Sequence, residues 1–324
     1  MMTSGECDMA ANRVIAVLGA TGAQGGSLCE AILSDPDSGF VCRAITRNPG
    51  SDRAKALVGK GVDVVAADLD DEASLTEAFA GAHGVYGVTN FPEIFSVERE
   101  QQQATNIAKA AKAANAAHVI WSTLDDTTQW LPISDARMPT LLGKYKCPHS
   151  DSKGQIDHVF TDLGLPVTFL LTSFYWDNFY KFGWGPKQGK DGTYTLTFPI
   201  GKAKMPGIAV EDIGKCSYGI FKKGAEFIGK KVGVAGEHLS GAEMAEKCST
   251  ALGVTCTFDA LPPHTYRNLG FPGADDLGNM FQIFDEFEQQ YRASRSVEVS
   301  RALAPSLMNF DQWLAKNKSK IPLA

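Results

Sequence analysis

The chain has 324 residues, 44% of them hydrophobic and 21% charged, with a formal net charge of −6. This is an ordinary globular composition, enough for one large domain or two smaller ones. The acidic balance argues against a direct grip on nucleic acid, which needs clustered Lys and Arg, and no apolar run approaches the roughly 20 residues that span a bilayer.

The first residues, MMTSGECDMAAN, are polar and carry Glu6 and Asp8. They match neither a secretory signal nor an arginine-rich transit peptide, so a disordered lead-in is expected at 1–12. From 13 to 172, β-branched runs alternate with helical stretches. Strands are expected at VIAVLGA from Val14, VCRAIT from Val41, VDVVAAD from Val62, GVYGVTN from Gly84, HVIWST from His118 and VTFLLT from Val167. Such continuously apolar runs suit strands buried on both faces of a parallel sheet. Helices are expected from Gln24, from near Ala73, over Val97 to Asn115, and from near Lys153 to a stop at Leu163-Gly164-Leu165-Pro166. This alternation defines an α/β chain with a Rossmann-type doubly wound parallel sheet.

After Thr172 the rhythm changes to the aromatic and glycine-rich FYWDNFYKFGWGPKQGKDG. A strand at YTLTFP, a helix from about Val210, a strand at VGVAG and a helix after Ser240 follow, and the tail from Leu261 reads as helical. Residues 173–324 are expected to form a smaller C-terminal lobe over the C-terminal ends of the strands, with some segments returning to the large sheet.

The sharpest motif is GATGAQGG, in which Gly19, Gly22 and Gly25 make G-x-x-G-x-x-G between a strand and a helix. Glycines there allow a tight turn and close backbone approach, and the helix N-terminus stabilises a pyrophosphate. Thr21, Ala23 and Gln24 complete that loop. The second strand ends in Thr46-Arg47-Asn48, without the carboxylate that holds an NAD ribose. Arg47 suits a 2′-phosphate, so NADP(H) is the expected cofactor. Ligands sit beyond the carboxyl ends of parallel strands, which places Asp68 by the adenine and Thr89 and Asn90 by the nicotinamide.

These residues resemble the NmrA-like family, an atypical branch of the short-chain dehydrogenases/reductases. GATGAQGGS, ITRNP, AADLDD, VTNF and the late LGFPGADDLGNMF carry the resemblance, which runs from about Arg13 to Leu323 and is strongest to the family's NADPH-sensing members. It implies a Rossmann fold, NADP(H) binding and, often, a regulatory role, since fungal members bind transcription regulators. It assigns Gly19, Thr21, Gly22, Gln24 and Gly25 to the pyrophosphate loop, Arg47 to the 2′-phosphate and Lys153 to the nicotinamide ribose.

Catalytic members of the wider superfamily use Tyr-x-x-x-Lys, whose spacing puts both side chains on one helix face. Here His149 stands four residues before Lys153 in place of the tyrosine, and Tyr145 lies before Pro148. Either Lys153 only binds cofactor and His149 is an ordinary polar neighbour, or His149 and Lys153 are a catalytic pair with His149 as proton donor. Ser122 and Thr123 end the fifth strand. Tyr175 and Tyr180 are weaker donors and read first as an aromatic wall.

The seven cysteines and six histidines are scattered, with no C-x-x-C and no H-E-x-x-H. Neither a metal centre nor a disulfide framework is expected, and the cysteines read as core residues. No G-x-S-x-G elbow occurs. The acidic pairs Asp70-Asp71 and Asp275-Asp276 read as solvated caps or turns. The leading expectation is a cytoplasmic NADP(H)-binding redox sensor, with access to the nucleus, acting through a regulatory protein partner or as a homodimer. The alternative is an NADPH-dependent reductase of a small-molecule substrate: a quinone, carbonyl or enone.

Overall fold

The computed structural model describes residues 12–323, so the expected lead-in falls outside the described residues except for Asn12. The first six strands are β1 (Arg13–Val17), β2 (Phe40–Thr46), β3 (Asp63–Ala66), β4 (Gly84–Gly87), β5 (His118–Thr123) and β6 (Val167–Leu171). Between them run α1 (Ala23–Leu33), α2 (Asp52–Gly59), α3 (Glu72–Phe79), the single turn α4 (Phe91–Ile94), α5 (Val97–Ala113) and α6 (Pro148–Asp162). Later strands are β7 (Phe174–Tyr175), β8 (Lys187–Gln188), β9 (Tyr194–Thr197), β10 (Met205–Ile208), β11 (Lys231–Val234), β12 (Glu237–Leu239), β13 (Cys256–Asp259) and β14 (Arg295–Ser296). The later helices that matter below are α7 (Asn178–Lys181), α8 (Val210–Lys223), α9 (Gly241–Leu252), α10 (Pro263–Arg267) and α11 (Ala274–Glu286).

Eight strands form one sheet in the order β14-β11-β6-β5-β4-β1-β2-β3. Every pairing within it is parallel; Ile15, for example, lies opposite Cys42 on one side and Gly84 on the other. The winding reverses between β1 and β4, which opens a crevice at the carboxyl ends of the strands. Alternation along β1 shows that both faces are buried. Ile15 and Val17 join Leu28 and Ile32 of α1 and Ile213 and Ile220 of α8. Ala16 and Leu18 point the other way, among Leu75 and Phe79 of α3, Ile107 of α5 and Phe160 of α6.

Several helices depart from the sequence reading, among them the single turns α4 and α7, and most clearly α2 and α6. α2 was not expected; only Ala54 and Leu57 of its residues are buried, so its apolar stripe is thin, and Ser51 caps it by accepting from the Ala54 N–H. α6 begins at Pro148, five residues before the expected start at Lys153. Proline is well placed in a first turn because its missing N–H needs no partner there. Asp151 fixes the entry: its carboxylate accepts from the N–H groups of Lys146 and Cys147 at 2.9 Å and from Thr127 at 2.7 Å.

Strands β12-β10-β7 and β13-β9-β8 form two small sheets that, with α9 to α11, make the smaller lobe. Its core is aromatic: Phe174, Trp176, Phe179, Phe198, Phe281, Phe310 and Trp313. Pairs such as Phe310 on Trp313, 5.6 Å between centroids, add about 0.5–1.5 kcal/mol each beyond burial. Among the described residues no helix is long and apolar enough to cross a membrane.

Candidate cofactor cleft

At the end of β1 the chain turns through Gly19, whose φ of +62° is left-handed, and the Gly22 N–H donates to the Gly19 carbonyl at 2.8 Å. A Cβ on Gly25 would lie 2.4 Å from the Leu18 carbonyl oxygen and 2.5 Å from that of Gly19. Only glycine lets α1 start this close to the strand. Gly22 caps α1 without a side-chain acceptor, and the first turn holds no acidic residue. The positive end of the helix therefore keeps its N–H groups for an anion.

This loop opens into a cleft of about 1150 Å³ between the sheet and the smaller lobe. Gly19, Thr21, Gly22, Ala23, Gln24, Gly25, Arg47, Asp68, Thr89, Asn90, His149 and Lys153 all line it. Arg47 is half-exposed at the end of β2 and ion-pairs with Glu93 of α4, which also accepts from Asn90 Nδ2 at 3.1 Å. Arg47 holds the Glu93 carboxyl below its ordinary pKa. Asp68 sits in the turn before α3, where its Oδ1 accepts from the Asp70 N–H at 3.0 Å.

Gln24 ties the loop to the rest of the cleft. Its Oε1 accepts from Tyr86 and, at 2.7 Å, from Ser122 Oγ, while its Nε2 donates to Tyr175 Oη at 2.6 Å. Tyr175 belongs to β7, in the smaller lobe, and burial pushes its phenol up. Tyr180 lies elsewhere: it donates to Asp177 and stacks on Trp313, and it does not line this cleft. Tyr145 is buried beside Phe91 and Val97 and is also absent from the lining.

Lys153 is paired inside the protein. Its Nζ lies 2.5 Å from Glu100 Oε1 and also donates to the side chain and carbonyl of Thr89. The other Glu100 oxygen accepts from Ser152 Oγ, and Glu100 is fully buried. The sequence reading missed Glu100. Its signal was a carboxylate within the apolar stripe Val97, Ala104, Ile107 and Ala111 of α5, where a lone charge needs a partner.

His149, on the same face of α6, meets α11. Its Nδ1 lies 2.8 Å from Asp276 Oδ2, and its backbone N–H donates to the same oxygen at 3.2 Å. Burial, the largest single influence, lowers the His149 pKa, but Asp276 together with Glu100 and Asp151 turns the net shift upward. Cys147 Sγ lies 3.6 Å from His149 Nδ1, and burial raises its thiol pKa strongly. Asp276 is therefore not the solvated turn residue that the sequence indicated; it is buried and paired. Cys147 and His149 are neighbours at the start of α6, and α11 brings Asp276 to them from 127 residues further along the chain. The cleft floor also holds Arg295, fully buried, whose Nη1 lies 2.8 Å from Asp125 and whose Nε donates to the Thr172 carbonyl at 2.8 Å.

The sheet order and the cleft at its switch point define a Rossmann-like α/β protein with a second lobe over the strand ends. The chain belongs to the NmrA-like family, whose model matches residues 11–314. It is 26% identical to the NmrA-like family domain-containing oxidoreductase himF of Aspergillus japonicus, over 90% of this chain and 89% of the relative. Its fold is similar to that of NmrA, a negative transcriptional regulator, in complex with NAD (TM-score 0.76, 21% identity) and with NADP (0.75, 20%), covering 94% of this chain and 95% of that one. Triphenylmethane reductase of Citrobacter sp., complexed with NADP(H), superposes with a TM-score of 0.73 at 19% identity, over 94% of this chain and 99% of that one.

Proposed function

We propose that this protein is an NADP(H)-binding regulator, in which cofactor occupancy biases the smaller lobe and thereby its protein partners or its self-association into a homodimer. The observation that carries the reading is Gln24. Its backbone belongs to the loop that would meet the pyrophosphate, and its side chain holds Tyr175 of the smaller lobe. A ligand shifts a conformation only through different affinity for two states, and this hydrogen bond gives the cofactor a contact that differs when the lobe moves. The two candidate acid–base groups are already engaged, Lys153 by Glu100 and His149 by Asp276. The residues present fit NADP(H): an uncapped helix N-terminus for the pyrophosphate and Arg47, free to exchange Glu93 for a 2′-phosphate. The relative NmrA, a regulator solved with NADP, lends further support.

One observation favours a second reading, an NADPH-dependent reductase of quinones or other small carbonyl or enone compounds. The cleft runs on into a wall of Phe174, Tyr175, Trp184, Tyr266 and Phe271, which suits a flat organic substrate. The oxidoreductase names of the curated relatives fit it too. The deciding experiment follows NADPH absorbance while quinones, aldehydes and enones are added in turn to purified protein. The regulator reading expects saturable NADPH binding without sustained oxidation; enzyme-proportional turnover with any compound would overturn it in favour of the reductase.

A further inference from the structure

Cys147, His149 and Asp276 form a cluster, of which neither reading uses the Cys147 thiol or the second Asp276 carboxylate oxygen. One donor atom from each lies within 4.8 Å of the others. A tetrahedral zinc ion, with Zn–S near 2.3 Å and Zn–N or Zn–O near 2.0–2.2 Å, spaces neighbouring donors roughly 3.3–3.6 Å apart. The Cys147 Sγ to His149 Nδ1 distance of 3.6 Å already matches. His149 Nδ1 and Asp276 Oδ2, at 2.8 Å, are drawn closer by the proton between them, and a cation replacing that proton would let them part by about half an ångström.

A second observation points to a ligand. Asp276 Oδ1 is buried and has no hydrogen-bond partner, in a residue only 8% exposed. A carboxylate oxygen left so is costly unless something positive meets it. The neighbouring charges do not supply it. Lys146 Nζ is bound to the carbonyls of Asp135 and Met138 and to Thr140 Oγ1. Asp151 is not a competing ligand, since both its oxygens accept from the Thr127, Lys146 and Cys147 N–H groups.

We propose that Cys147, His149 and Asp276 bind a divalent transition-metal cation of the zinc type, with a fourth position open toward the cleft that all three residues line. The donor set of sulfur, imidazole nitrogen and carboxylate oxygen suits zinc and excludes the all-oxygen preference of magnesium and calcium. Binding exchanges protons for metal: the Cys147 thiol proton leaves to solvent, and the proton on His149 Nδ1 leaves or moves to Nε2. Cys147 and His149 belong to the start of α6 and Asp276 to α11, so the ion also clamps the two lobes together.

The test uses the full chain, stripped with chelator and free of nucleotide, so that its outcome is independent of the cofactor reading. Zn²⁺ is titrated in competition with a chromophoric chelator, and Co²⁺ loading is followed by absorption. One metal per chain is expected, with a thiolate-to-cobalt charge-transfer band and intense tetrahedral d–d bands. Cys147→Ser should abolish the charge-transfer band, and Asp276→Asn should weaken Zn²⁺ binding at least tenfold. Zn²⁺ should raise the melting temperature of the wild type and not of Cys147→Ser. Absence of stoichiometric Zn²⁺ uptake, or a wild-type cobalt spectrum without thiolate charge transfer, overturns the proposal even if a variant fails to fold.

Discussion

Arg47 and Glu93 face each other across the outer end of the cleft, so a 2′-phosphate and a carboxylate compete for one guanidinium. An exposed ion pair contributes only about 0–1 kcal/mol, whereas a hydrogen-bonded charged contact contributes about 1.5–3 kcal/mol. Arg47→Ala should therefore weaken NADPH binding by about 10–100-fold and leave NADH nearly unchanged. Glu93→Gln should tighten NADPH modestly; calorimetric titration of both variants checks the pair. Glu100 gives a second prediction. Removing it strands the Lys153 ammonium in a buried site, and breaking a buried pair costs about 3–5 kcal/mol. Glu100→Ala should lose stability of that order in urea unfolding, and an unchanged midpoint would refute the pairing. The sequence exposed Lys153 and His149 through their four-residue spacing, but not Glu100 or Asp276. Their partners lie 53 and 127 residues away, and only helix packing brings them together.

The central strand β5 carries its own pH dependence. His118 Nε2 contacts Thr168 Oγ1 at 2.8 Å, and Thr168 in turn donates to the Phe227 carbonyl, so the His118 proton sits on Nε2. Nδ1 is buried without a partner, and burial lowers the pKa from 6.5 to about 4. In the unfolded chain the ring protonates below about 6.5, while the folded protein resists until about 4. Stability is full above pH 6.5 and falls as pH drops through that window, by up to about 3 kcal/mol. His118→Asn should flatten that part of the stability–pH curve; an unaltered slope would show that another group titrates there. The elements themselves were unevenly legible. Strands β4, β5 and β6 are buried along their whole length and so read as apolar runs, the half-buried edge strand β3 was legible from its Val64-Val65 pair, and Gly164 followed by Pro166 marked the end of α6. β14 left no trace, since two residues, one of them a buried arginine, carry no periodicity. The early start of α6 was hidden in backbone bonds to Asp151, which no hydrophobic pattern reports.

Over the cleft, Gln24 with Tyr175 and His149 with Asp276 link the sheet to the smaller lobe, beside the apolar contact of Leu131, Met138 and Cys147 with Ile283 and the Asn279 side chain's hydrogen bonds to the Pro139 and Lys146 carbonyls. The doubly wound fold was readable from strand–helix alternation and the glycine loop. The cleft's substrate-side wall was not, because α10 and α11 contribute to it from the far end of the chain. These links are what would carry cofactor occupancy from the loop to the smaller lobe. Hydrogen exchange of the full chain, with and without saturating NADPH, tests this most directly. The account predicts slower exchange at residues 19–25 and 46–48, and also at 174–182 and 274–284 in the smaller lobe. Protection confined to the loop and the end of β2, with the smaller lobe unchanged, would contradict it.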